Sequence, residues 1–278
     1  MEGRDLMLTD ITMGQYYPVD SFVHRLDPRT KVLLTIAYII IVFLAKTFVG
    51  YALLLGFVFM TAHLACVPMR MLLRGLRPLR FILILTFLLN LCFNTGEKVL
   101  LSFWIIRITQ EGLTQAIFFS MRLVFLVMGT SLLTLTTSPV SLSDAMEILM
   151  SPLKVIHFPA HELAMMMTIA LRFIPTLLEE TDKIRKAQMA RGADFESGNL
   201  ISRAKAMVPL LVPLFVSAFR RAGDLAMAME SRCYHGGEGR TRLRVLKLTK
   251  LDGRACAVMV AVLVLMILDG IFLGGVLP

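Results

Sequence analysis

Ala255-Cys-Ala-Val-Met-Val-Ala-Val-Leu-Val-Leu-Met-Ile-Leu-Asp-Gly-Ile-Phe-Leu-Gly274 carries a single charge, Asp269, close to its far end. About 20 apolar residues in a helix cover the roughly 30 Å hydrocarbon core of a bilayer. This stretch is therefore predicted to cross a membrane, and four others resemble it. They run near Val32–Ala45, Val49–Val67, Leu79–Phe93 and Leu113–Thr136, the first and third being short. The whole chain agrees with that reading: 56% of its residues are hydrophobic, 18% are charged, and the mean hydropathy is +0.72. A soluble domain is about 45–50% apolar and about 25% charged. The predicted class is all-α: a polytopic membrane protein with about five transmembrane helices.

Charge orients the spans. Lys and Arg accumulate in cytoplasmic loops. Arg4, Arg25, Arg29 and Lys31 precede the first span, and Arg70, Arg74, Arg77 and Arg80 separate the second from the third. Seventeen of the 29 Lys and Arg lie between Ser138 and Arg254, while the opposite side holds only Lys46, Lys98 and Arg107. The N-terminus is expected in the cytoplasm and the C-terminus outside the cell. Three regions follow: a membrane region over 1–137, a cytoplasmic helical region over 138–254, and a last span over 255–278. No cleavable signal is expected, because residues 1–31 lack a short apolar core ending in small residues. Lys98–Thr109, apolar but too short to cross, reads as an interfacial segment or short hairpin on the outer face.

Residues 138–254 are too long for a loop and too apolar for a solvated tail. A helix is predicted over His161–Lys186, with Leu163, Met166, Met167, Ala170, Leu171 and Ile174 at helical spacing and Pro175 as a kink. It continues to Ala190-Arg191-Gly192, where glycine stops it. A second helix starts after Asn199 as N-cap, passes Pro209 and Pro213, and reaches Ser231-Arg232-Cys233. Gly236, Gly237 and Gly239 are expected to end it. Each helix closes on an arginine between small residues. That pattern fits an arginine inserted into a pocket of another protein, with small neighbours allowing close approach. It also fits an arginine that merely complements a helix C-terminus.

Other chemistries find no support. His161-Glu162 begins like a zinc-protease H-E-x-x-H, but Met165 stands at the fifth position. No P-loop and no G-x-S-x-G occurs. Cys66, Cys92, Cys233 and Cys256 form no C-x-x-C, so neither a zinc site nor a disulfide framework is expected. Arg122, inside the fourth span, is a candidate functional residue because intramembrane charge is costly, with Asn90 and Asn94 as possible partners; the alternative is an arginine that snorkels or is satisfied within the bundle. Asp269 is expected at the outer interface. The basic strip Arg240–Lys250 fits anionic lipid headgroups, and no nucleic-acid partner is expected.

Several stretches resemble one family. They are Tyr17-Pro18, Leu26-Asp27-Pro28-Arg29-Thr30-Lys31, Leu76-Arg77-Pro78-Leu79-Arg80 and Ala170-Leu171-Arg172-Phe173-Ile174-Pro175. The match is densest at Lys186-Ala187-Gln188-Met189-Ala190-Arg191-Gly192-Ala193 and Ala228-Met229-Glu230-Ser231-Arg232-Cys233-Tyr234. Together they resemble the transmembrane T component (EcfT) of energy-coupling factor (ECF) transporters, most closely the shared-module type of Gram-positive bacteria. The resemblance implies a non-catalytic scaffold of a vitamin or micronutrient importer, without a cofactor of its own. It implies two ABC ATPase subunits (an EcfA-type pair) and a membrane S component as partners, with the bilayer as solvent. The long helices would be cytoplasmic coupling helices, and Ala190, Arg191, Gly192 and Ser231, Arg232, Cys233 would dock on the two ATPases. Ser231 stands where alanine is common, and both residues are small. Met165, Met166, Met167 and Met207 are candidate S-component contacts, or else ordinary helix packing. Pro175, Pro209 and Pro213 are candidate hinges. A stand-alone permease would need internal symmetry and broken helices that the sequence lacks. A membrane enzyme would need a catalytic constellation.

Overall fold

The computed structural model describes residues 16–93, 99–103, 106–152, 158–195, 199–236 and 246–272. Among them are nine α-helices and one hairpin. In chain order these are α1 (Pro28–Leu44), α2 (Phe48–Leu64), α3 (Met69–Gly75), α4 (Arg80–Phe93), β1 (Val99–Phe103), β2 (Ile106–Thr109), α5 (Gln110–Thr136), α6 (Pro139–Met150), α7 (Ala160–Ala190), α8 (Leu200–Glu230) and α9 (Lys250–Phe272). The chain divides into two compact units, one of Gly14–Ala145 with Leu246–Pro278, the other built on Met146–Val245.

The first unit is a bundle whose helix starts are written in the sequence. Asp27 caps α1, accepting from the Arg29 N–H at 2.9 Å, and Pro28 occupies the first turn, where its missing N–H costs nothing. Thr47 caps α2 by accepting from the Gly50 N–H at 3.0 Å, and Thr109 caps α5 by accepting from the Gly112 N–H at 3.1 Å. At α9 the Asp252 carboxylate accepts from both the N–H and the hydroxyl of Thr249, each at 2.7 Å. That cap starts α9 at Lys250 rather than at Ala255, so Asp252 and Arg254 belong to its first turns and not to the preceding region.

Tertiary pairings then set directions. The Tyr38 hydroxyl donates to the Phe125 carbonyl at 3.0 Å, and Lys31 Nζ donates to the Thr136 carbonyl at 2.9 Å, so α1 and α5 are antiparallel. The Asp27 N–H donates to Asp252 at 2.9 Å and joins the starts of α1 and α9. The Thr47 hydroxyl donates to Asp269 and joins the start of α2 to the far end of α9. Thus α1 and α9 run one way, and α2 and α5 the other. Tyr38, Ile41, Val42, Leu54, Val58, Phe125 and Met128 fill the core. The α1–α5 crossing depends on Gly129, because a Cβ there would lie 2.1 Å from Tyr38 Cε1.

The outward face is apolar. Leu33, Ile36, Ile40 and Phe43 recur at helical spacing on α1, and Val260, Val264, Leu268 and Ile271 do so on α9, all exposed. Water would not tolerate such continuous faces, whereas lipid does. At about 1.5 Å per residue, α5 is about 40 Å long and α9 about 35 Å, enough to cross; α1 and α2 reach about 26 Å and α4 about 21 Å. The second predicted span ends at Leu64. Cys66 there takes a left-handed backbone (φ 54°), and α3 leaves at 120° to α2.

Lys31 is only 7% exposed and donates to the His24 and Thr136 carbonyls. Asp269, near the end of α9, is 7% exposed and accepts from the Thr47 hydroxyl. The helix α6, within the region read as cytoplasmic, had no counterpart in the sequence reading. Over 99–109 the short-hairpin alternative is the one found: β1 and β2 are antiparallel, with Phe103 opposite Ile106 and Ser102 opposite Arg107. Lys98 and Trp104 lie outside the described residues.

Candidate functional site

The second unit holds α7 and α8, 31 residues each. Three side-chain bonds join them. The Ser217 hydroxyl donates to Glu180 Oε1 at 2.6 Å, and Arg221 pairs with Glu180 Oε2. Gln188 Nε2 donates to the Pro209 carbonyl at 3.3 Å. Residue numbers fall on one helix as they rise on the other, so the two are antiparallel. The Ser217 hydroxyl, and then the Arg221 guanidinium, hold the Glu180 carboxyl below the usual carboxylate range.

The third bond has a backbone cause. Proline has no N–H, so Pro213 leaves the carbonyl four residues earlier, that of Pro209, without its helical donor. Gln188 from α7 supplies one. Both helices run unbroken through their prolines, Pro175 in α7 and Pro209 and Pro213 in α8. Nothing in the hydrophobic pattern points to Gln188; the signal is the Pro-x-x-x-Pro spacing of Pro209 and Pro213, which exposes a carbonyl.

The two arginine-bearing ends have the same backbone. At α7 the Ala193 N–H reaches back to the Gln188 carbonyl (3.0 Å) and the Gly192 N–H to Met189 (3.0 Å). At α8 the Tyr234 N–H reaches the Met229 carbonyl (3.1 Å) and the Cys233 N–H reaches Glu230 (2.8 Å). Both are Schellman closures, in which the residue after the arginine adopts a left-handed conformation. Gly192 has φ 89° and Cys233 φ 56°. Glycine ends α7 as expected. Cys233, not Gly236, Gly237 or Gly239, ends α8; Gly237 and Gly239 lie outside the described residues.

Ala190, Arg191, Gly192, Ser231, Arg232 and Cys233 are all exposed. Neither arginine side chain takes a hydrogen bond or ion pair among the described residues, so neither guanidinium is spent on its own helix end. Because the helices are antiparallel, the two ends point away from each other. Arg191 lies eleven residues beyond Glu180, and Arg232 eleven beyond Arg221. At about 1.5 Å per residue this separates the arginines by about 33 Å along the pair.

The other candidates are placed as follows. Met166, Met167 and Met207 are exposed, whereas Met165 is half-buried; Pro175, Pro209 and Pro213 face outward. Asn199 starts α8 but caps it without a side-chain hydrogen bond. His161 lies in the first turn of α7, with Nδ1 at 2.9 Å from Glu147 Oε1. Arg122, in the bundle, lies over the rings of Phe43 and Phe119 and donates to the Ala45 carbonyl (3.4 Å) at the C-terminal end of α1. Its Nε is buried without a hydrogen-bond partner among the described residues. Asn90 donates to Thr86 of its own helix, and Asn94 lies outside the described residues.

The described residues form a multi-pass helical membrane protein whose two longest helices each close on an exposed arginine. Residues 20–243 match the family described as CbiQ, cobalt transport protein. The chain is 57% identical to the energy-coupling factor transporter transmembrane protein EcfT of Thermosediminibacter oceani, over 88% of this chain and 92% of that one. It is 55% identical to that of Acidaminococcus fermentans (94% and 97%) and 50% identical to that of Bacillus subtilis (93% and 97%). The chain belongs to this EcfT family: it is the transmembrane component of an energy-coupling factor transporter, a non-catalytic subunit.

Proposed function

We propose that α7 and α8 are cytoplasmic coupling helices that carry ATP-driven motion from two ABC ATPase subunits to a membrane S component, for uptake of a vitamin or other micronutrient. Arg191 docks on one ATPase and Arg232 on the other, each flanked by Ala190 and Gly192 or by Ser231 and Cys233. The exposed Met166, Met167 and Met207, with Met165 behind them, form an adaptable apolar surface for the S component. Pro175, Pro209 and Pro213 are the flex points. The N-terminus lies in the cytoplasm and the C-terminus outside.

The observation that carries this is the pair of matching closures at opposite ends of an antiparallel helix pair, each presenting a guanidinium with no partner among the described residues. Two attachment points about 33 Å apart suit two separate subunits better than one. As those subunits close on ATP and reopen, a rigid pair pinned at both ends must tilt or flex.

By length and composition alone α7 and α8 could also cross a membrane, though both are less apolar than α5 and α9. Charge argues against it. Arg172 interrupts the apolar half of α7, and Glu179 to Lys186 fill the other half. The uncharged run of α8, Ala206–Phe219, spans only about 21 Å of a roughly 30 Å core.

The test is co-purification in mild detergent. Arg191→Glu and Arg232→Glu should each lower the ATPase content of the complex, and the double variant should lose both ATPases and uptake. Full ATPase content and normal uptake in the double variant would refute the assignment.

A further inference from the structure

The bundle contains a groove of about 350 Å³ between α1, α2, α5 and α9. Tyr38, Phe57, Gly129 and Met259 line its inner part, and Lys31, Thr136 and Arg254 lie at the end where α1 and α9 begin and α5 finishes. Its walls extend over about two helical turns, from Lys31 to Tyr38 and from Gly129 to Thr136, or about 10 Å. The other polar groups of the lining, the Thr35, Tyr38 and Thr61 hydroxyls, already donate to backbone carbonyls.

Lys31 is the second observation. It is 7% exposed and lines the groove; Asp252 and Asp27 act on its charge, yet neither lies within ion-pair distance. An ammonium has three donors. Two go to the His24 and Thr136 carbonyls, at 3.2 and 2.9 Å, and the third has no acceptor among the described residues. A buried charge left incompletely bonded is unfavourable and favours an anionic or strongly accepting ligand. Arg254, exposed on the same lining, forms no ion pair among the described residues. An apolar groove with two cations at one end only has the polarity of a phospholipid.

We propose that this groove holds one acyl chain of an anionic phospholipid, whose headgroup phosphate is bound by Lys31 and Arg254. The chain would fill the space between α1, α2, α5 and α9 and so brace the ends of four helices. Basic pockets between transmembrane helices recognise lipid headgroups by this combination of charge and depth.

The test uses the purified full chain and native mass spectrometry with dioleoylphosphatidylglycerol or dioleoylphosphatidylcholine. One phosphatidylglycerol should be retained, with phosphatidylcholine at least about fivefold weaker. Arg254→Gln should reduce retention of phosphatidylglycerol about fivefold, the loss of one headgroup-facing cation. Leu132→Trp, which fills the groove without removing charge, should abolish retention of both, with helical content by circular dichroism confirming that each variant folds. Equal retention of the two lipids, or unchanged retention in both variants, would overturn the proposal. So would a thermal stabilisation by inorganic phosphate equal to that by phosphatidylglycerol, because the acyl chain would then contribute nothing. A photo-crosslinker at Leu133 should capture lipid; capture of a second copy of the chain or of a partner protein in its place would equally overturn it.

Discussion

Cys233 occupies a backbone conformation that glycine adopts freely and L side chains resist by about 1–2 kcal/mol. Cys233→Gly should remove that strain, offset by the greater freedom of glycine in the unfolded chain. The net expectation is a stabilisation of about 0.5 kcal/mol, read as a higher Tm; a lower Tm would show that the left-handed turn carries no strain. Gly192→Val is the mirror experiment. It forces a β-branched residue to φ 89° and should cost at least about 1–2 kcal/mol while loosening the Arg191 end. His24 provides a pH readout. Its Nε2 lies 2.9 Å from the Tyr17 carbonyl and its Nδ1 2.7 Å from the Ser21 hydroxyl, a pattern that the neutral ring satisfies by donating at one nitrogen and accepting at the other. Burial, and secondarily Lys31, push its pKa below 6.5. The unfolded chain therefore takes up a proton more readily than the folded one, so stability is lost as pH falls below 6.5. A Tm that drops between pH 7 and pH 5.5 in the wild type, and drops less in His24→Gln, is the expected result.

At the scale of elements, the close α1–α5 crossing and the α7–α8 pairing make separate demands. Gly129→Ala places a methyl into the Tyr38 ring and should cost about 1–3 kcal/mol. Gly56→Ala, whose added Cβ meets nothing within 4 Å, is the matched control and should leave Tm nearly unchanged. Equal Tm values for the two would remove the argument for a tight crossing. In the other unit, Gln188→Leu leaves the Pro209 carbonyl without its donor. Hydrogen–deuterium exchange should then quicken over 206–215 in α8 while the bundle helices are unaffected. Protection unchanged in that segment would mean that the interhelical bond contributes nothing to holding α8 past its prolines.

For the whole molecule, the proposed orientation puts α7, α8 and their arginine ends in the cytoplasm. Cys233, exposed beside Arg232, is a natural reporter. In a variant with Cys66, Cys92 and Cys256 changed to serine, a membrane-impermeant maleimide should label Cys233 in inside-out vesicles and not in intact cells. Labelling from the outside would reverse the topology and with it the assignment of ATPase docking.

The two long helices and both arginine ends were legible in the sequence, because they depend on periodicity and on local motifs; of the five predicted spans, α5 and α9 are long and apolar enough to cross, α2 only when joined to α3, while α1 and α4 are shorter. Asp27-Pro28 and Gly192 act within a few residues of their own positions, so their effects could be read directly. Lys31, Asp269, Arg122 and Gln188 were not legible in this way. Each owes its environment to a residue far away in the chain: Thr136 for Lys31, Thr47 for Asp269, Ala45 for Arg122 and Pro209 for Gln188. Hydropathy registers each of these side chains only as polar, whether solvated or satisfied inside a bundle. Only the packed helices determine which carbonyl or hydroxyl arrives opposite it. The left-handed turn at Cys233 escaped the sequence reading for a different reason: its hydrogen bonds are local, but cysteine has no intrinsic preference for that turn.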